Sequence, residues 1–416
     1  MDENVRVRRF KRAVYIAAPL FIFIVTYIMV MKEARLEKAS DVVAHMKKCL
    51  SLEEVMSVSD NGWHIICYLI YELMPVSIET AASITSALFN AFEAVIIVWL
   101  ANFMLKPDYR RSESFWLVSF ISASSLLVGP LYLRFFNPRY YYGQSSPNPW
   151  HSPTTTAVKP FALLISIVTA FYWQCDPSEV VKVGKRQMKK TTVYQIWLAV
   201  LLLVSTLIKP SILTIYFPLC FFAALIKLIR QKGHGFFKLI GQHLYFLPSA
   251  ALFLVQYLKI YVMKGSASAE TTGGIEIALF KVAKMASPCF PVSVILRMAF
   301  PFAVVIIWRK TVFKDKLFNI CFWQYILGLL VFWTFAETGT RASHGNFGWG
   351  NVIGSSLLWI WCVIYFFKRW REEKPGEQKG AAIKLKFAIP AFLFGLHLCD
   401  GIIYYFNLLH NMAGQL

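Results

Sequence analysis

Residues 6–31 read RVRRFKRAVYIAAPLFIFIVTYIMVM, and this stretch indicates what kind of protein the chain is. Five basic residues lie within residues 1–13, and an apolar run follows at Val14–Met31. The run resembles a signal peptide, but no small-residue cleavage site comes after it. A basic flank before a long apolar run therefore predicts a retained first span whose N-terminus is cytoplasmic.

Apolar runs of this kind recur along the 416 residues, of which 57% are hydrophobic and only 16% charged. An ordinary soluble protein is about 25% charged. The composition excludes a disordered chain, a collagen, a coiled coil and a small disulfide scaffold. We predict an all-α polytopic membrane protein of about eleven spans, each needing roughly 20 apolar residues. The spans are expected at about 14–31, 78–104, 114–133, 158–173, 192–208, 211–226, 239–262, 288–308, 317–335, 351–367 and 387–406.

The pattern predicts a single transmembrane domain over residues 1–416. Residues 1–31 form the first span, residues 32–75 a first external loop, and residues 78–406 the remaining spans. Within the loop, the apolar segment Trp63–Pro75 has only 13 residues. That length is too short to cross a membrane, so we expect a re-entrant or interfacial helix there. No strand pattern is visible.

The basic residues are concentrated in alternate loops between the predicted spans. Lys and Arg number 43 against 23 acids, giving a net charge of +20. The predicted cytoplasmic segments, residues 1–13, 105–113, 174–191, 227–238, 309–316 and 368–386, hold 28 of these 43 basic residues. Cytoplasmic loops of membrane proteins collect Lys and Arg. The basic balance therefore reflects membrane topology, and no nucleic-acid partner is predicted.

The eight cysteines indicate no metal or disulfide framework. Most of them lie inside predicted spans, and no C-x-x-C occurs. Neither a zinc site nor a set of disulfides is therefore indicated by their spacing.

Polar residues gather in the segments that this topology places outside the membrane. Loops carry function when a rigid scaffold holds them together, so we expect a site at the external face. Each residue also has a plainer interpretation, such as an exposed helix face or a lysine that reaches the membrane surface. The candidates are Asp41, His45, Asp60, His64, Arg139, Gln144, Asn148, Trp150, His151, Lys159, Lys209, Arg341, His344, Asn346 and Trp349.

Several of these motifs resemble those of GT-C superfamily glycosyltransferases, which use polyprenyl-phosphate sugar donors. Asp41 in Ser-Asp-Val-Val-Ala-His is similar to the acidic position of that family's first external loop, and Gly62–Tyr71 to its returning helix. Gly143-Gln144 and Lys209-Pro210 resemble motifs of the bacterial mannosyl- and arabinosyltransferase branch. The string from Gly143 to Thr154 also resembles membrane proteins of bacterial polysaccharide gene clusters.

The resemblance implies roles for the candidates. Asp41 would be the general base at the acceptor hydroxyl, with His45 one helical turn away to orient it. Cationic side chains would bind the donor phosphate, and a second group would bind the sugar or the acceptor. The donor phosphate group would be Lys209, Arg341, Lys159 and Arg139 with His344, and the sugar or acceptor group Gln144, Asn148, Trp150, His151, Asn346, Trp349 and His64.

The implied partners are a polyprenyl-phosphate sugar donor, a glycan or lipid acceptor and membrane lipids, in a bacterial plasma membrane. No cofactor is firmly predicted, and a divalent metal stays an open alternative. Two departures from the family pattern are visible: the acid is a single Asp rather than a pair, and no soluble domain follows the last span. An O-antigen-type polymerase or ligase and a polysaccharide transporter or flippase remain alternatives, and Asp60 is the rival base.

Overall fold

A computed structural model describes the protein over residues 3–35, 41–133, 135–136, 146–262, 274–339, 342, 345–373 and 380–410. The described chain is mainly helical. Its helices are α1 Glu3–Ala34, α2 Asp41–Lys47, α3 Leu52–Ser57, α4 Gly62–Leu73, α5 Ile78–Leu105, α6 Ser112–Leu127, α7 Pro153–Gln174, α8 Lys190–Ile208, α9 Leu213–Arg230, α10 Phe236–Gln242, α11 Leu247–Tyr257, α12 Lys281–Ala286, α13 Phe290–Ile307, α14 Arg309–Val312, α15 Lys316–Thr334, α16 Gly348–Glu373 and α17 Ala381–Leu409. Its strands are β1 Val180–Val183, β2 Arg186–Lys189, β3 Ile275–Ile277 and β4 Phe335–Glu337.

Ten helical segments of the described chain are long and apolar enough to cross a membrane. They coincide with ten of the eleven predicted spans, so the all-α polytopic architecture is confirmed. The eleventh, expected at 114–133, differs because α6 has only 16 residues and ends at Leu127. The 12-residue α4 occupies the short apolar segment of the first loop.

The chain after α6 is extended, yet it stays inside the bundle. Pro130 follows directly after Gly129 and cannot donate a helical hydrogen bond. The main-chain N–H of Gly129 donates to the His397 carbonyl at 3.0 Å, and that of Leu131 to the Leu296 carbonyl at 3.2 Å. Non-helical backbone is tolerated at membrane depth only where protein satisfies its polar groups, which α13 and α17 do here.

The helix α16 forms the centre of the bundle. It is buried without interruption from Gly350 to Phe366, as expected for a helix that is apolar on every side. Glycines bring α15 and α16 together: a Cβ on Gly354 would lie 2.8 Å from the Tyr325 Cα, and one on Gly328 would lie 2.7 Å from the Asn351 Cα. Small residues at such crossings let helix backbones approach closely within a membrane.

Two small antiparallel sheets correct the prediction that no strand is present. β1 pairs with β2 across a tight turn at Gly184, whose φ of +61° is readily adopted by glycine. β3 pairs with β4. The strands have only three or four residues each, too few for the alternation of polar and apolar side chains to stand out in the sequence.

Because the chain crosses the bundle repeatedly, the connections between helices lie at two opposite ends, which we call the basic end and the site end. The basic end carries the connections α5–α6, α7–α8, α9–α10, α13–α15 and α16–α17. The site end carries α2–α4, the start of α7, the α8–α9 turn, the β3–β4 sheet and the start of α16.

Candidate functional site

Two histidines meet where α2 packs against α4. The His45 Nδ1 lies 2.9 Å from the His64 Nε2, so one ring donates a hydrogen bond and the other accepts it. His64 is buried and His45 is half-buried. The Trp63 ring borders His45 with its centroid 6.2 Å away, and its Nε1 donates to the Ser86 hydroxyl. This packing fixes the pair on α5.

The surroundings favour the neutral form of both rings. Burial lowers the pKa of His64 to about 4, and the nearby ammonium groups of Lys48 and Lys209 act in the same direction. Burial is the main reason that the pKa of His45 lies well below its usual range. The His64 ring and the same two lysines lower this pKa further. The pair is therefore suited to orienting or relaying a proton rather than to carrying charge.

Lys209 occupies the turn between α8 and α9. Its Nζ donates to the Thr154 hydroxyl at 3.0 Å and lies 4.5 Å from the centroid of the Trp349 ring. Burial lowers the pKa of Lys209. The carboxylates of Asp60 and Asp41 act in the opposite direction but do not cancel the effect of burial. Among the described residues, no carboxylate comes within 4.0 Å of this ammonium. Within the described part of the chain, Lys209 is thus a half-buried cation without a direct counter-ion.

Two carboxylates lie near Lys209 on the first loop. Asp41 is the first residue of α2 and is exposed, one helical turn before His45. Asp60 precedes α4 and is half-buried, and it accepts a hydrogen bond from the Ser59 hydroxyl at 3.1 Å. Burial raises the pKa of Asp60 despite Lys209, which lowers it. A carboxylate with a raised pKa is a stronger proton acceptor when it is ionised.

His151 and Trp349 complete the group that we call the polar cluster. The two rings have centroids 6.2 Å apart, and the Tyr404 hydroxyl lies 3.4 Å from the His151 Nδ1. Burial lowers the pKa of His151, Asp41 raises it and Lys209 lowers it further. The polar cluster consists of Asp41, His45, Asp60, His64, His151, Thr154, Lys209 and Trp349.

Three candidates lie deeper in the bundle, away from the polar cluster. Lys159 is only 2% exposed; its Nζ lies 3.2 Å from a Glu93 carboxylate oxygen and donates to the Asn148 side-chain oxygen at 2.7 Å. The Asn148 amide donates in turn to the carbonyls that end α6. Trp150 is buried with its ring 5.5 Å from that of Tyr405. These internal contacts argue against the predicted phosphate and sugar roles of Lys159, Asn148 and Trp150.

Asn346 belongs to a second polar group. Its side-chain amide donates to one carboxylate oxygen of Glu337 at 2.6 Å, and the Tyr261 hydroxyl donates to the other at 2.7 Å. Glu337 is 3% exposed, so these bonds compensate a buried carboxylate. Four further candidates, Arg139, Gln144, Arg341 and His344, lie outside the described residues.

Sequence reasoning missed Thr154 and Arg297, and it did not identify the partner of Glu93. Thr154 binds Lys209 although the two are 55 residues apart. Glu93 of α5 pairs with Lys159 of α7, and the two residues are distant in sequence. Arg297 in α13 is 3% exposed and donates to the Asn351 side-chain oxygen at 3.2 Å. A charged residue inside a predicted apolar span was the available signal for both Glu93 and Arg297.

The polar cluster could perform proton transfer beside a bound anion. It offers carboxylates, neutral imidazoles and one cation next to an aromatic face. Within the described parts of the chain, no three His, Cys, Asp or Glu side chains converge as metal ligands would. The fold and composition define an integral, polytopic membrane protein. Comparison with protein-family models finds no match, and comparison with curated proteins finds none either.

Proposed function

We propose that the protein is a glycosyltransferase of GT-C type that moves a hexosyl or pentosyl unit from a polyprenyl-phosphate donor. The acceptor is a lipid-linked or cell-surface glycan. The reaction takes place at the external face of a bacterial plasma membrane, with the N-terminus in the cytoplasm. The segregation of basic residues at the opposite end of the bundle supports this orientation.

The observation that carries the proposal is the environment of Lys209. The ammonium is fixed by Thr154 and Trp349, lies near two carboxylates and has no direct counter-ion among the described residues. A lipid phosphate would supply that missing negative charge at the membrane boundary. The indole of Trp349 offers an aromatic face of the kind on which sugars stack.

The chemistry then divides between the two sides of the transferred sugar. Asp41 removes the proton from the acceptor hydroxyl, and His45 and His64 orient it. The hydroxyl oxygen attacks the anomeric carbon while the bond to the donor phosphate breaks. Lys209 stabilises the negative charge that develops on the departing polyprenyl phosphate.

The test compares acid variants of the purified protein in liposomes with radiolabelled polyprenyl-phosphate hexoses and pentoses. Asp41→Asn keeps the shape of the side chain but removes the proton acceptor, so turnover should fall on the order of 10²–10⁴-fold. Asp60→Asn is measured beside it, and Glu53→Gln, an exposed acid of α3, is the control. Loss of turnover in the Asp60 variant alone would move the base there, and normal turnover in both would refute the proposal.

The donor side has its own measurement in the same assay. A lipid phosphate is bound in the ground state as well as in the transition state, and such uniform binding is expressed in KM. Lys209→Ala should therefore raise the KM for the donor, and the exposed Lys47→Ala of α2 should leave it unchanged. A variant that keeps the wild-type KM and loses only kcat would show that Lys209 does not bind the donor phosphate in the ground state.

A second candidate, a transporter or flippase, is favoured by the buried Lys159–Glu93 pair. Ionisable residues within membrane spans commonly mark ion or substrate pathways. A transporter would move the labelled lipid across the liposome membrane without forming a new glycosidic bond. Measuring both lipid orientation and product in one preparation separates the two functions.

A further inference from the structure

Two cysteines occupy the next turn beyond the histidine pair of the polar cluster. Cys49 follows His45 by four residues, and Cys67 follows His64 by three. Cys67 therefore shares a face of α4 with His64, whereas Cys49 lies in the turn that follows the end of α2 at Lys47. The contact between His45 and His64 at 2.9 Å brings this turn and this face of α4 together.

The environment of the two sulfurs agrees with this placement. Both cysteines are 0% exposed and belong to the same apolar core. The Cys49 thiol lies 3.4 Å from the His45 carbonyl oxygen. A hydrogen bond with the Cys67 thiol raises the pKa of the Cys49 thiol, and burial is the second largest cause of the rise.

We propose that Cys49 and Cys67 form a disulfide that ties the end of α2 to α4 in the mature protein. The proposal rests on the external orientation given under the proposed function, because disulfides persist in oxidising compartments. It does not rest on the sugar chemistry. The spacing of the cysteines along the chain gave no sign of this pairing.

The oxidation proceeds by exchange with the disulfide of a thiol–disulfide oxidoreductase. Cys49 and Cys67 each give up one proton and one electron as the S–S bond forms between them. The oxidoreductase disulfide takes up both electrons and both protons and becomes two thiols. Since both sulfurs are buried in the folded protein, the exchange takes place while the first loop is folding.

The purpose of the cross-link follows from the size of the elements that it joins. α2 has seven residues and α3 has six, and helices this short are not stable by themselves. They nevertheless carry Asp41 and His45 to the polar cluster. A bond that closes the loop between residues 49 and 67 restricts the unfolded states of this segment and stabilises the position of α2.

The experiment determines the state of each cysteine in protein extracted from its own membrane. Free thiols are blocked with N-ethylmaleimide in detergent and denaturant, disulfides are then reduced, and the new thiols are labelled with an isotopically heavy maleimide. Peptides that contain Cys49 and Cys67 should carry the heavy label. Cys321 and Cys362, buried neighbours on α15 and α16 towards the basic end, are the matched control and should carry the light label.

A second arm separates geometry from orientation. The purified protein is fully reduced and then treated with diamide, and the pairing is mapped in the wild type, Cys49→Ser and Cys67→Ser. If both cysteines are light-labelled from the membrane and also fail to pair with diamide, the geometry is refuted. If they are light-labelled from the membrane but pair with diamide, the native disulfide is refuted and the error lies in the orientation. Neither result depends on transferase activity, so failure of the sugar assay is a separate outcome.

Discussion

His64 makes the polar cluster sensitive to acid. Its ring is 0% exposed, and burial lowers its pKa to about 4. In the unfolded chain the pKa of a histidine is about 6.5. Between these two values the unfolded state binds more protons than the folded state, so the free energy of unfolding falls as the pH decreases.

We therefore predict that His64→Gln flattens the acid side of the stability profile. Between about pH 7 and about pH 4, the free energy of unfolding of the wild type should fall by on the order of 1–3 kcal/mol more than that of the variant. Thermal unfolding of the detergent-solubilised protein across this range measures the effect. His234→Gln, at an exposed histidine of the basic end, should keep the wild-type slope. Equal slopes for His64→Gln and the wild type would show that the ring is not held neutral.

The Lys159–Glu93 pair gives a second prediction at the scale of single residues. Both side chains are almost fully buried, at 2% and 1% exposed. Removing one partner of a buried ion pair typically costs about 3–5 kcal/mol because the other charge is left uncompensated. Glu93→Gln and Lys159→Met should each destabilise by this amount, and the double variant should recover much of the loss. Thermal unfolding of all four proteins measures the coupling, and additive losses would contradict it.

At the scale of elements, the contact between the end of α6 and α17 depends on a glycine. A Cβ at Gly401 would collide with the Leu127 carbonyl and would lie 2.7 Å from the Val128 carbonyl carbon. These are main-chain atoms, so no side chain can move away to relieve the collision. The extended segment that begins at Val128 can pack into the bundle only because α17 has no side chain here.

Gly401→Ala should accordingly destabilise the protein by about 1–3 kcal/mol or more, the range for an overpacked core. Gly395→Ala in the same helix is the matched control. A Cβ there meets no atom within 4 Å, and alanine is the better helix former, so this variant should be neutral or slightly stabilising. The apparent Tm of the two variants, measured in one detergent, tests the packing. A Gly401 variant as stable as the Gly395 variant would refute it.

At the scale of the whole molecule, the two ends of the bundle differ in charge. Of the 43 basic residues, 28 belong to segments that the sequence predicts to be cytoplasmic, and those of the 28 that the structure describes lie at the basic end. The positive-inside rule therefore predicts that this end faces the cytoplasm and that the polar cluster faces away from it.

Labelling with a membrane-impermeant maleimide tests the orientation in intact cells. Glu53→Cys places a thiol on exposed α3 at the site end, and Ser178→Cys places one in the exposed segment before β1 at the basic end. We expect Glu53→Cys to react in intact cells and Ser178→Cys to react only after permeabilisation. The opposite pattern would place the polar cluster in the cytoplasm. Cys175→Ser is included in both proteins so that the neighbouring native thiol does not contribute.

Hydropathy along the chain is enough to predict the architecture, because each span is a local property of about 20 consecutive residues. Ten spans and the short helix α4 lie where hydropathy and length predicted them. The helix of the eleventh predicted span, α6, ends before Gly129 and Pro130. The extended chain that follows is held by hydrogen bonds to α13 and α17, which are distant in sequence. The strands β3 and β4 could not be predicted for a similar reason, since β3 gains its partner 60 residues later.

The site was determined only in part by the sequence. Loop positions predicted that Asp41, His45, His64, His151, Lys209 and Trp349 would share one end of the bundle. The packing of the helices brings His45 against His64, sets Thr154 and Trp349 around Lys209, and pairs Lys159 with Glu93 in the interior. None of these contacts could be predicted from the sequence. Those outcomes depend on which helix faces meet. Hydrophobicity specifies that a helix is in the membrane, whereas close packing and the pairing of buried charge specify what each side chain touches.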